Sequence, residues 1–78
     1  MSSNLGQLKN GESGIVLNVD GMGAFRRRII DMGITPGTKI YVRKSAPFNG
    51  PMQVHLRGYE LTLRRKEAEN ISIKVCEE

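Results

Sequence analysis

Apolar and polar positions alternate along this chain in short runs, and turn residues interrupt them roughly every 8–12 positions, the rhythm of short strands in a barrel or sandwich. Leu5 and Leu8 precede the turn dipeptide Asn10-Gly11, and from Gly14 onward Ile15, Leu17 and Val19 alternate with Val16 and Asn18, which predicts a first strand. Asp20-Gly21-Met22-Gly23 ends that strand and leads into a helix. Its two glycines tolerate backbone angles that other residues resist, and the Asp20 carboxylate can accept hydrogen bonds from nearby amides. Across Ala24 to Met32, Phe25, Ile29 and Met32 fall at i, i+4 and i+7 and make one apolar face about two turns long, with Gly33 standing where a C-terminal glycine cap belongs.

Thr35-Pro36-Gly37 then reads as a turn, Pro36 presetting its first central position and Gly37 accepting a positive φ at the second. Thr38 to Lys44 is a second strand with Ile40 and Val42 inward. The segment from Ala46 to Pro51 is the least strand-like, and Asn49-Gly50 suits a tight hairpin into Met52, Val54 and Leu56, which alternate with Gln53, His55 and Arg57. Gly58 turns the chain into Tyr59, Leu61 and Leu63, Arg64 to Ala68 can form one helical turn, and Ile71, Ile73 and Val75 form the last strand. The pattern as a whole predicts an all-β fold with one short helix after the first strand: five short strands closing a small barrel.

Composition narrows this further. With 78 residues the chain makes a single domain over 1–78, ordered from about 5 to 75, with a thin core. A lone cysteine, Cys76, cannot form an internal disulfide, and Met1-Ser2-Ser3-Asn4 lacks the basic start and apolar run of a signal peptide, which points to a reducing cytoplasm. No apolar run approaches the roughly 20 residues of a membrane-spanning helix, so direct membrane insertion is not expected. A net charge of +4 favours acidic partners only weakly.

Candidate chemistry is sparse. One His and one Cys, His55 and Cys76, lie on different predicted strands, and Asp20, Asp31, Glu60, Glu67, Glu69, Glu77 and Glu78 show no ligand spacing; they read as scattered surface acids able at most to hold a transition metal weakly. His55 falls on the outward phase of its strand, the place of a solvated residue. Gly21-Met22-Gly23 is followed by Ala24 and Phe25 instead of the lysine and hydroxyl of a phosphate loop, so neither an intrinsic cofactor nor a catalytic constellation is expected.

Three consecutive arginines, Arg26 to Arg28, spread over 200° of the helix at 100° per residue. Arg27 points most directly to solvent, while Arg26 and Arg28 flank the apolar face; the run serves either as a solvated face or for partner docking. A second run, Arg64-Arg65-Lys66, is partly cancelled by Glu67 and Glu69 and reads as a solvated surface. The four aromatics are not interleaved with either run, so nucleic-acid binding is not expected. Phe48, between Pro47 and Pro51 and near Met52, is either an apolar docking anchor or a plug folded into one end of the barrel. Arg27, Phe48 and Met52 are therefore the candidate partner-binding residues, and Phe25, Ile29, Met32, Gly33 and Gly37 the structural ones.

The order of these segments resembles the ferrous-iron transport protein A (FeoA) family from Leu5 to Val75. It runs through Leu5-x-x-Leu8-x-x-Gly11, Gly14-Ile15-Val16, the stretch Gly23 to Gly33, Pro36-Gly37, Ser45-Ala46-Pro47-Phe48 to Gly50-Pro51, Arg57-Gly58-Tyr59-Glu60-Leu61-Thr62-Leu63-Arg64, and Glu67-Ala68. The resemblance implies an SH3-like barrel that acts without chemistry of its own. Its implied partner is the cytoplasmic domain of a ferrous-iron permease carrying its own GTPase domain. Two alternatives stand beside it: a regulatory module related to the C-terminal domains of iron-dependent repressors, and an RNA- or ribosome-binding SH3-like barrel. The oligomeric state is left open.

Overall fold

The computed structural model describes residues 2–46 and 50–76. In chain order it contains β1 (Ser2–Asn4), a 3₁₀ turn (Leu5–Gln7), β2 (Ser13–Val19), α1 (Ala24–Asp31), β3 (Lys39–Ser45), β4 (Met52–Leu56), β5 (Tyr59–Leu63), α2 (Arg65–Glu69) and β6 (Ile71–Val75). The strands form one antiparallel sheet in the order β1-β6-β2-β3-β4-β5. It has one strand more than the five read from the sequence, because Ser2–Asn4 pairs with β6 although its residues are polar and give no apolar alternation.

The sheet curls so that alternate residues of β2, β3, β4, β5 and β6 enclose one core. Leu5 and Leu8 close that core at one end, and Ile29 of α1 with Ile34 joins it elsewhere. Two register shifts bend the sheet, between Val16 and Asn18 in β2 and between Val42 and Lys44 in β3. The first changes which side chains face inward. Ile15 is half-buried on the outer side and Leu17 is 46% exposed, while Val16 and Val19 are buried. The extra residue of a bulge resets the period-2 alternation, so the regular Ile15, Leu17, Val19 phase of the sequence does not survive in the sheet.

Helix α1 ends where its glycine allows. Gly33 has φ +95°, the Gly33 N–H donates to the Ile30 carbonyl at 2.9 Å, and the Ile34 N–H donates to the Ile29 carbonyl at 3.3 Å. This is the paired hydrogen-bond pattern of a left-handed cap, and the two residues that flank it, Ile29 and Ile34, are both fully buried. Gly37, at φ +92°, completes a turn closed by the Thr38 N–H to the Thr35 carbonyl at 3.0 Å. Of the predicted helical face, Ile29 is buried, and Phe25 and Met32 are half-buried against the core.

Candidate functional site

Chain reversal from β2 into α1 leaves Met22 at the tip of Gly21-Met22-Gly23, 87% exposed, the most exposed of the large hydrophobic residues described. The Phe25 ring lies behind it, so close to Gly21 that a Cβ there would stand 2.7 Å from the Phe25 ring edge. The three arginines that follow have different fates. Arg26 Nε donates to the Val19 carbonyl at 3.2 Å and ties the helix back to β2. Arg28 Nη1 lies 3.3 Å from Glu67 Oε2, joining α1 to α2. The Arg27 side chain makes no hydrogen bond or ion pair among the described residues; with Gly23, Arg26, Ile30 and Asp31 it lines a shallow depression of about 370 Å³. The outward place expected for Arg27 is the place it has. Met22, by contrast, was not singled out in the sequence, although an apolar residue between two glycines in a turn is the pattern that exposes it.

A second cluster surrounds α2. Arg65 Nη1 donates to the Gly6 carbonyl at 2.7 Å, and Nη2 donates to Ser45 Oγ at 2.7 Å and to the Ala46 carbonyl at 2.9 Å. One guanidinium thus holds the 3₁₀ turn and the end of β3 against α2. Glu67 is only 6% exposed; its Oε1 accepts the Arg64 N–H at 2.9 Å and its Oε2 receives Arg28. The solvated readings of Arg65 and Glu67 are therefore corrected: both are internal fastenings of the fold. A groove of about 530 Å³ beside them is lined by Pro51, Arg64, Arg65, Lys66 and Glu69.

Met52 also needs correction. It is 0% exposed, on the inward phase of β4 with Val54 and Leu56, and so offers no surface to a partner. Phe48 lies outside the described residues. His55 sits between Tyr41 and Glu60 on the outward face but is half-buried, with its Nδ1 shielded and without a partner among the described residues, instead of fully solvated. Cys76 is a half-buried free thiol just beyond β6. Among the described residues no three of His, Cys, Asp and Glu come together in a group that could hold a metal ion. Among the described residues no helix is long and apolar enough to cross a membrane.

The family model of the FeoA domain matches residues 3–75. An Fe(2+) transport protein A/Fe(2+) transporter FeoB fusion protein of Porphyromonas gingivalis is 34% identical over 71 residues, 91% of this chain; the chain spans 8% of that protein's length. The solution structure of a FeoA-like protein from Clostridium acetobutylicum is similar at 36% identity and a TM-score of 0.89, covering 99% of this chain and 90% of the other. At 23% identity and a TM-score of 0.81, with 91% and 88% covered, the likeness extends to a zinc complex of Stenotrophomonas maltophilia FeoA, described as a prokaryotic SH3 domain protein. A manganese-dependent transcriptional repressor shares the fold at 18% identity and a TM-score of 0.88 over 96% of this chain and 41% of its own.

Proposed function

The chain belongs to the FeoA domain family, and from that premise we propose that it is a non-enzymatic, cytoplasmic accessory of ferrous-iron uptake that binds the cytoplasmic part of the iron permease and changes its assembly or its GTP-linked activity. The observation that carries this reading is the relative in which the same domain and the FeoB transporter are one polypeptide. Covalent linkage holds the two partners at a high effective concentration, which favours a contact between the domain's surface and the transporter.

The β2–α1 turn and the outer side of α1 suit that contact. Interface energy concentrates in a few apolar or aromatic anchors and arginines, and Met22 with Arg27 offers one anchor and one guanidinium without a structural partner among the described residues. Met22 thereby takes the anchoring role expected of Met52. The reading includes no intrinsic cofactor: the ferrous ion is cargo of the permease.

Capture of the purified GTPase domain of the permease by the immobilised chain tests the proposal. Saturable capture is expected, about thirtyfold weaker for Met22→Ala and weakened by Arg27→Ala chiefly at low salt. No capture at protein concentrations of tens of micromolar would overturn it. The likeness to a repressor supports a regulatory module as the second reading, and it predicts instead that the chain leaves the permease's GTP hydrolysis unchanged.

A further inference from the structure

Strand register brings a second surface together, one made of sheet and not of α1. Lys74 of β6, Ile15 of β2 and Lys39 of β3 stand side by side across three strands, on the face opposite the core. In the neighbouring row Tyr41 pairs with Ser13 and His55 on the same face. Leu17, two residues on from Ile15, lies on this face as well, and Leu17 and Tyr41 are 46% and 41% exposed. Arg43 completes the set, 6.0 Å from the Tyr41 ring centroid. Among the described residues two acids border this face and both are engaged: Glu60 is paired with Arg43 at 2.9 Å, and Asp20 accepts from Asn18 at 3.0 Å and Ser72 at 3.3 Å.

We infer that this outer face of β6, β2 and β3 is a peripheral contact for an anionic lipid surface. Lys39 and Lys74 stand roughly 10 Å apart, two strand spacings, with Ile15 between them. Lysine stems of this kind lie along apolar surface while their ammonium groups reach outward to headgroup phosphates. Leu17 and Ile15 can then enter the boundary between headgroups and acyl chains, and Tyr41, an amphipathic ring, belongs at the same depth. A single-stranded nucleic acid fits less well. It requires successive aromatic platforms for its bases, and this face carries one tyrosine beside aliphatic side chains that cannot stack.

Each cation near an anionic membrane surface strengthens binding about fivefold, so Lys39 and Lys74, the two not held in an ion pair, together give about a 25-fold preference over a neutral surface. That is enough to orient the domain beside a membrane protein and too little to anchor it there alone.

Co-sedimentation with phosphatidylcholine vesicles, with and without phosphatidylglycerol, tests the inference. Binding is expected only to the anionic vesicles, falling steeply with salt, about 25-fold weaker for Lys39→Gln/Lys74→Gln and weaker still when Leu17→Ser is added. The matched double variant Arg64→Gln/Lys66→Gln, which removes the same charge from α2 and its approach, is expected to bind normally, and melting temperatures check that all variants fold. Absence of binding to anionic vesicles at low salt overturns the inference, as does equal loss in the two double variants. Tighter binding to oligouridine that the Lys39/Lys74 variant abolishes would assign the face to nucleic acid instead. The vesicles contain no permease, so failure here leaves the docking reading standing, and failure of permease capture leaves this face standing.

Discussion

Helix α2 carries its charged side chains into the molecule, whereas the turn before α1 carries an apolar one out of it. Arg65 and Glu67 sit among backbone groups and pair with partners from three other elements. Met22 stands almost free in solvent, and Arg27 follows it without a partner among the described residues. The usual guide, apolar inside and charged outside, is reversed at both places, and for different physical reasons. A five-residue helix is too short to hold itself together, so α2 depends on side chains that satisfy its ends and tie it to its neighbours. Helix α1 is fixed by the buried Ile29, its glycine cap and the tethers of Arg26 and Arg28, and that leaves Arg27 and the tip before the helix available for other uses. Buried polar groups therefore mark where this protein is fastened, and the exposed methionine marks where it can be approached.

The strongest challenge to that comparison is Ile29→Ala. Ile29 is 0% exposed and is the fully buried side chain of α1, so truncation should cost about 3–4 kcal/mol by loss of transfer energy and the cavity left behind. In a domain this small that is much of the total stability. A denaturation midpoint close to that of the parent would show that α1 is held by something other than this residue.

Next comes Arg65→Ala, expected to destabilise by about 2–3 kcal/mol, because one charged group leaves three acceptors without their donor. Arg65→Lys should recover only part of this, since an ammonium cannot reproduce a planar fork aimed at separate acceptors. Urea denaturation of both variants checks the claim. Full recovery with lysine would mean that charge and not geometry holds α2.

The contrast between the helices also explains what could be read from the sequence. Local patterns were legible: the Phe25, Ile29, Met32 spacing, the Gly33 cap and the Pro36-Gly37 turn each involve residues within a few positions of one another. Arg65 was not, because its partners Gly6, Ser45 and Ala46 lie 59, 20 and 19 positions away and offer backbone or hydroxyl oxygens that leave no mark in the pattern. Glu67 was hidden for a similar reason, one of its two partners being Arg28. Met52 is a different case. Its alternation with Val54 and Leu56 places it on the inward phase, and its nearness to Phe48 in sequence is the competing signal that points to a surface anchor. A bulge takes Val19 out of phase with Ile15 and Leu17, and no alternation rule anticipates it.

Phe25→Ala sharpens the comparison at the turn itself. Phe25 is half-buried and packs over Gly21, so its truncation should cost about 1–2 kcal/mol, less than the 3–5 kcal/mol typical of a fully buried phenylalanine. It should also loosen the Gly21-Met22-Gly23 tip. Hydrogen exchange of the Met22 and Gly23 amides should therefore speed up more than that of the β3 or β4 amides. Uniform acceleration across the sheet would place Phe25 among the core residues that hold the barrel as a whole.

The smallest effect on stability is expected from Met22→Ala, and it is the most informative for function. With 87% of its surface exposed, Met22 gives almost no apolar area to the fold, so the change should move the free energy of unfolding by less than about 0.5 kcal/mol. Arg27→Ala should be similarly mild, since no ion pair or hydrogen bond of the described residues is lost. Binding should respond in the opposite order. An anchor removed from the centre of an interface typically costs about 2 kcal/mol or more, while a peripheral charge mainly changes the association rate and its salt dependence. Titration of the permease's GTPase domain with the two variants, each with a parental melting temperature, separates fastening from docking. If Met22→Ala binds as the parent does while Arg65→Ala, measured well below its melting temperature, loses binding, then the docking surface lies at α2 and its adjoining groove, and the exposed methionine has no part in recognition.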